Sequence, residues 1–425
     1  MNRRLLVALS GLAVRFALAP ATGHPYDVGS FAFYQRLYFQ YGIVDLKTFP
    51  TLPTLYFVEL PFYSMYALLT AHGLGDYQLL YHTSFMIETV FLKLPYVLSD
   101  LGIFLLILKI TGRLWSATLF FLNPLVILVS SAWGMYDSLM LLALMGGILL
   151  MTRAGSNMGS SLLMLLSGIV KLFGFLPYGL LLLGSIVGKR VRAFGIQLAL
   201  GIAVIGGLLL VITFYGGLSG FLTGFAFRFA GLSGGTSTYG QPYTIVYLLF
   251  PRLTSVPFMS GFLLIPVAFM YLLEQRKNPD LVTFVKWTLV GSVMASILSQ
   301  SEPQWLSWSI PLAVIYGALT NRTGLQWYTL VYGATSAFLI MTQSQAGGYL
   351  VLGTKTFFIP FVEQYQNILF VYAATTFALL MLMLVYTFRK PIKFKFEIVP
   401  AIVLVYLLAY FWFSILNVPG VLGLA

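Results

Sequence analysis

Apolar runs of about twenty residues recur along this chain with few charges inside them. A run of that length is what a helix rising ~1.5 Å per residue needs to cross ~30 Å of hydrocarbon. Only 8% of the 425 residues are Asp, Glu, Lys or Arg, against roughly a quarter in soluble domains. The expectation is an all-α, polytopic membrane helix bundle. Sparse period-2 alternation argues against an outer-membrane barrel. The sequence has no cysteine, which removes disulfides, thiolate chemistry and Cys-ligated metals. Any chemistry must rest on acids, bases, hydroxyls and aromatics.

The apolar segments fall near 4–20, 89–108, 114–130, 137–151, 161–187, 193–214, 256–273, 281–299, 305–319, 325–341, 367–387 and 398–416. The segment 161–187 is too long for one relaxed span and contains Lys171 and Pro177, so it reads as a broken pair that enters and returns. That gives about 13 membrane elements. The first segment resembles a signal peptide, with Arg3 and Arg4 ahead of it. Arg15 inside its apolar core argues against cleavage, so it is expected to remain as a helix. Fifteen of the 24 basic residues sit in short loops, among them Lys189, Arg190 and Arg192, Arg276 and Lys277, and Arg389 to Lys395. Placing them all inside orients the chain with its N-terminus in the cytoplasm. The net charge of +12 is thereby a topology signal. These residues are too scattered to form a nucleic-acid surface.

The run Thr54 to Ala71 fits that orientation badly, because crossing there would put Lys109 and Arg113 outside. With Glu59, Pro61 and several rings, it reads as an interfacial or re-entrant helix. Residues 21–88 then form one long external loop holding five of the twelve acids and all three histidines, His24, His72 and His82. Long ordered loops usually carry function. Asp27 sits just after the first helix at the water boundary, where a carboxylate stays ionised and can take a proton from a substrate hydroxyl. A His24–Asp27 pair could instead ligate a divalent cation, but two ligands are a weak metal signal. No resident cofactor or metal is expected. The stretch Phe31 to Tyr41, rich in rings among Gln35, Arg36 and Gln40, suits a helix on the membrane surface.

Lys93 and Asp100, seven residues apart, share a helix face at about 10 Å separation. Asp100 is expected either to line a polar cavity or to bond Arg15 or Lys171. Asp137 follows Trp133, Gly134 and Tyr136 in a short external loop. It either faces the same cavity as Asp27 or caps the next helix.

A first helix, an Asp early in a long external loop with surface helices, and then a multi-span bundle resemble the GT-C glycosyltransferases. The resemblance runs on through Lys93 to Asp100, Asn123-Pro124, Ser131 to Asp137, Lys171 to Pro177, Phe227 to Phe229 before a Gly- and Ser-rich stretch, and Ser301 to Trp308. The nearest branch is similar to the mannosyl- and glucosyltransferases of lipid-linked glycan and glycosylphosphatidylinositol assembly. The glycosylphosphatidylinositol mannosyltransferases are expected to carry a paired Asp-x-Asp in the first loop, and here only Asp27 is acidic at that place. The resemblance implies a catalytic module over 1–215 and a variable C-terminal transmembrane module over 216–425 with external loops 215–255 and 342–366.

It also implies an inverting transfer of a hexose, mannose favoured, from a polyprenyl- or dolichyl-phosphate donor to a lipid-linked saccharide outside the cytoplasm. Asp27 is the expected base. Arg228 is the first candidate for the donor phosphate and Lys355 the second, since a planar guanidinium binds phosphate by two parallel hydrogen bonds. The alternative for Arg228 is anchoring at lipid headgroups. Glu302, Gln304 and Trp305, with Trp308 near by, are candidates for holding a sugar, as are His24, Asp100 and Asp137. Tryptophan at an interface is also simply common. A multi-pass transporter or lipid flippase is the other functional class. The long first loop and the lack of a repeat between halves weigh against it. The composition suits a prokaryotic plasma membrane, archaeal among the candidates.

Overall fold

The computed structural model describes residues 2–46, 49, 51–78, 84–154, 158–216, 259–277, 280–298, 303–342 and 366–388. Among these the chain is helical, with fifteen α-helices and no strand beyond an isolated bridge between Gln78 and Phe85. The first four are α1 (Arg3–Leu18), α2 (Pro25–Tyr41), α3 (Pro53–Ala71) and α4 (Met86–Thr111). Asn2 caps α1 by accepting from Arg4 N, and a 3₁₀ turn, Ala19–Ala21, follows its C-terminal end. Pro25 opens α2, where its fixed φ suits the first turn. Gly42 ends α2 in the left-handed region at φ 67°. At the start of α4, Asp76 accepts from the backbone N–H groups of Ile87 and Glu88, and Glu88 accepts from that of Phe85. Donors orphaned by the helix start are thus satisfied.

The middle of the chain is α5 (Leu114–Phe121), α6 (Pro124–Ile127), α7 (Asp137–Ala154), α8 (Met158–Val170), α9 (Phe175–Val187) and α10 (Val191–Gly216). The expected single span over 114–130 is bent by 48° between α5 and the following Pro124–Trp133 segment. Pro124 cannot donate to the preceding turn. Asn123 covers the break, accepting from Leu125 N and donating to Thr329 O. After α6 the chain winds into a π-helical turn, Leu128–Trp133, stopped by Gly134 at φ 86°. The expected broken pair over 161–187 breaks at Lys171, which is extended, and resumes through a 3₁₀ turn into α9. Pro177 lies in the first turn of α9, where it is tolerated.

The remaining helices are α11 (Met259–Lys277), α12 (Leu281–Leu298), α13 (Ser309–Leu319), α14 (Thr323–Thr342) and α15 (Gln366–Phe388). Every residue from Ser309 to Ala318 is buried, because α13 is packed by α4, α5, α12 and α14. A helix apolar on all sides belongs in such a place. Lys286 on α12 pairs with Glu274 at 2.9 Å and lies over the Phe388 ring.

Among the described residues, three helices are long and apolar enough to cross a membrane: Arg3–Ala21, Met86–Thr111 and Val191–Tyr215. The bent pair would make a fourth. α1 and α10 expose leucine, isoleucine and phenylalanine, including Leu5, Leu9, Ile202, Leu210 and Phe214, as lipid-facing surfaces do. The span expected over 398–416 lies outside the described residues.

Candidate functional site

The C-terminal end of α1, the start of α2 and the π turn meet at Asp27. The Trp133 indole N–H donates to Asp27 Oδ2 at 2.7 Å, and His24 Nδ1 lies 3.1 Å from the same oxygen. The His24 ring stacks on the Trp133 indole with centroids 5.3 Å apart. His24 N also donates to Trp133 O at 3.1 Å. Both side-chain contacts fall on Oδ2, so Oδ1 has no protein donor among the described residues. The side chain is 20% exposed. A carboxylate held by one oxygen and open at the other can receive a proton from a bound hydroxyl.

Immediately after Trp133 and Gly134 the chain delivers Tyr136 and Asp137 to a second cluster. Asp137 is the first residue of α7 and fully buried. Its Oδ1 pairs with Lys171 Nζ at 2.8 Å and accepts from the Trp308 indole N–H. The break in 161–187 thus places Lys171 on this carboxylate. Rings surround the ammonium: Tyr136 at 5.0 Å, Trp308 at 5.3 Å and Trp305 at 5.9 Å. Phe173, Trp308 and Trp305 form a stack at 4.6 and 4.7 Å. Asp137 Oδ2 and Trp305 Nε1 are buried without a hydrogen-bond partner among the described residues. Gln304, next to Trp305 in the chain, is also buried.

Asp100 differs from the cavity-lining expectation. It is fully buried, and its Oδ2 accepts from Arg15 Nε, with Arg15 Nη2 also 2.9 Å away. Ser130 donates to the same oxygen at 2.6 Å and Ser138 to Oδ1 at 2.7 Å. Arg15 Nη1 donates to Phe121 O and Gly11 O. The open alternative, a bond to Arg15, is the one adopted, because two charges in helices α1 and α4 are cheaper to bury together than apart. Asp100 is thereby held by Arg15 on α1, Ser130 in the π turn and Ser138 on α7.

A third carboxyl, Glu59, is fully buried on α3, which is not among the helices long and apolar enough to span. It accepts from Tyr96 and from Gln35 at 3.5 Å. Burial pushes its pKa from the ordinary 4.5 up to about 8, partly opposed by those hydrogen bonds. It is neutral at pH 7. A carboxyl whose folded value is raised adds stability fully below its unfolded value and loses it as pH rises through the folded value. The protein should therefore lose thermal stability between pH about 5 and about 8. Glu59→Gln should flatten that slope and leave the variant relatively more stable at the alkaline end. Unfolding temperatures followed by intrinsic fluorescence at several pH values check this, and parallel curves for the two proteins would contradict it.

Arg36 on α2 makes a two-pronged contact with Glu88, to which Tyr63 donates at 2.7 Å. This ties α2 and α3 to the first turn of α4. His72 stands at the C-terminal end of α3, away from Asp27 in sequence and exposed. Arg228, Lys355, Glu302 and His82 lie outside the described residues. Among the described residues no group of three His, Cys, Asp or Glu side chains could hold a metal ion.

The indole N–H groups of Trp133 and Trp308 each donate to a carboxylate, Asp27 and Asp137 respectively, a role that residue type and spacing do not specify. The paired tryptophan-and-acid grouping in Trp133 to Asp137 was the available signal. No protein-family model, curated protein or solved structure matches the chain.

Proposed function

We propose that this protein is a multi-pass membrane glycosyltransferase of GT-C type. It moves a hexose, mannose favoured, from a polyprenyl- or dolichyl-phosphate carrier to a lipid-linked saccharide at the non-cytoplasmic face. The supporting observation is Asp27, with Oδ2 fixed by Trp133 and His24 and Oδ1 open. In this reading Oδ1 takes the proton from an acceptor hydroxyl as its oxygen attacks the anomeric carbon. The carbon–oxygen bond to the carrier phosphate breaks on the opposite face, so configuration inverts. Arg228, with Lys355 second, neutralises the departing phosphate. The finer architecture belongs to the same proposal: about 13 membrane elements, basic loops in the cytoplasm, and loop 21–88 outside.

The cluster at Asp137 suits a sugar. A hydroxyl both accepts and donates, matching a buried indole donor at Trp305 and a buried carboxylate acceptor at Asp137. Indole faces also take the apolar face of a pyranose. The competing reading, a transporter or lipid flippase, draws on the helix broken at Lys171 with its buried ion pair.

Purified protein in lipid nanodiscs, given a radiolabelled polyprenyl-phosphate hexose and a lipid-linked saccharide, is expected to form a glycoside of inverted anomeric configuration and release polyprenyl phosphate. Absence of transfer from both mannosyl and glucosyl donors, with flipping of the same lipid in liposomes, would establish the transporter reading instead.

A further inference from the structure

The proposed chemistry makes no use of Lys93, yet its ammonium lies within hydrogen-bond distance of five oxygens. Lys93 lies on α4, is fully buried, and pairs with no carboxylate among the described residues. Its Nζ is 3.1 Å from Ala19 O and 2.7 Å from Thr22 O, and 3.4 Å from Thr22 Oγ1. From the other side come Ser131 O at 2.8 Å and Ala132 O at 3.1 Å. Three ammonium N–H groups are thus shared among five oxygens drawn from two segments distant in sequence.

Those two segments carry the two halves of the Asp27 contact. Ala19 and Thr22 lead directly into His24 and Asp27, and Ser131 and Ala132 lead directly into Trp133. The carbonyls are available because one segment is a 3₁₀ turn at a helix end and the other a π turn, whose last carbonyls lack regular intrahelical partners. Buried carbonyls require donors, and the ammonium supplies them to both segments at once. Gly134 is shaped to the same contact. A Cβ there would fall 2.8 Å from Lys93 Cε and 2.7 Å from a Val28 methyl, so only glycine lets the lysine stem pass beneath the turn.

We propose that Lys93 is a positioning residue: its ammonium pins the C-terminal end of α1 to the π turn and thereby fixes the Trp133 indole against Asp27. It touches no reacting atom. Its effect on transfer rests on the assignment of Asp27 as the base, whereas its effect on the Trp133–Asp27 contact does not.

The two can be tested apart by labelling the protein with 5-fluorotryptophan. The Trp133 resonance is assigned by its loss in Trp133→Phe, and its sensitivity to the contact is calibrated with Asp27→Ala, which removes the acceptor. In folded Lys93→Met the Trp133 resonance is expected to leave its wild-type position toward that calibration. In the transfer assay kcat should fall by about 10- to 100-fold, the scale on which small misplacements act, with the donor KM unchanged. Lys93→Gln keeps two N–H donors on a stem one bond shorter. It should show a smaller shift and a smaller loss, and it decides the matter if the methionine variant does not fold. A Trp133 resonance at the wild-type position in folded Lys93→Gln or Lys93→Met would overturn the proposal, whereas a moved resonance with a kcat that falls only in proportion to the folded fraction would overturn Asp27 as the base. If the wild-type protein transfers no sugar, the functional reading fails, while the fluorine resonance still decides the role of Lys93.

Discussion

Asp27→Asn is expected to lower hexose transfer by about 10²- to 10⁴-fold, the range a general base contributes, while the purified protein keeps its fold. Asparagine has the shape of aspartate, and its carbonyl can still accept from the Trp133 indole, so the local packing around α2 should survive. What it cannot do is take up a proton on the atom corresponding to Oδ1. The loss should therefore fall on kcat, with the donor KM near the wild-type value, because the change removes an interaction made only as the proton moves. The comparison requires equal elution volume and equal unfolding temperature for the two proteins. Transfer by Asp27→Asn at the wild-type rate would remove Asp27 from the chemistry and leave the Asp137 cluster as the remaining carboxylate candidate. Asp137 is the weaker choice in advance, since its Oδ1 is already held by Lys171 and Trp308.

Much of the helical architecture could be read from the sequence, because long apolar runs and sparse charges leave few ways to fold in lipid. The breaks were harder. Pro124 is a visible helix breaker, but unbroken apolarity on both sides favours reading 114–130 as one span. The π turn at Leu128–Trp133 has no compositional mark at all, since it differs from an α-helix in hydrogen-bond register and not in residue type. The break at Lys171 was legible, as a lysine in a run too long for one span. The same scarcity of charge narrowed the partner of Asp100 to Arg15 or Lys171 before any geometry was known. Asp27 could be singled out as an acid just after the first apolar run, but its donor Trp133 lies 106 residues away and no spacing rule connects them. Lys93 was the least legible of all, because its partners are backbone carbonyls, which every residue possesses.

The buried pair beneath the site should dominate stability. Arg15→Met is expected to destabilise the folded state by about 3 to 5 kcal/mol, the range for removing one partner of a buried ion pair. The cause is less the lost attraction than the carboxylate left behind. Asp100 would retain Ser130 and Ser138 as donors but would be enclosed without its guanidinium. Asp100→Leu should be costly for the matching reason, eased by the contacts Arg15 keeps to Phe121 O and the Phe121 ring. The double variant Arg15→Met/Asp100→Leu removes both charges and replaces them with apolar groups, so it should lose clearly less stability than the two single losses combined. Chemical unfolding of the four proteins in one detergent measures that coupling, and simple additivity would show that the pair contributes nothing beyond its separate parts. Arg15 lies on the helix that leads into His24 and Asp27, and Asp100 accepts from Ser130 in the turn that delivers Trp133. A double variant that recovers stability without recovering transfer would therefore mean that the charged pair is retained to hold α1 in register with the π turn, a geometry that apolar packing alone does not specify.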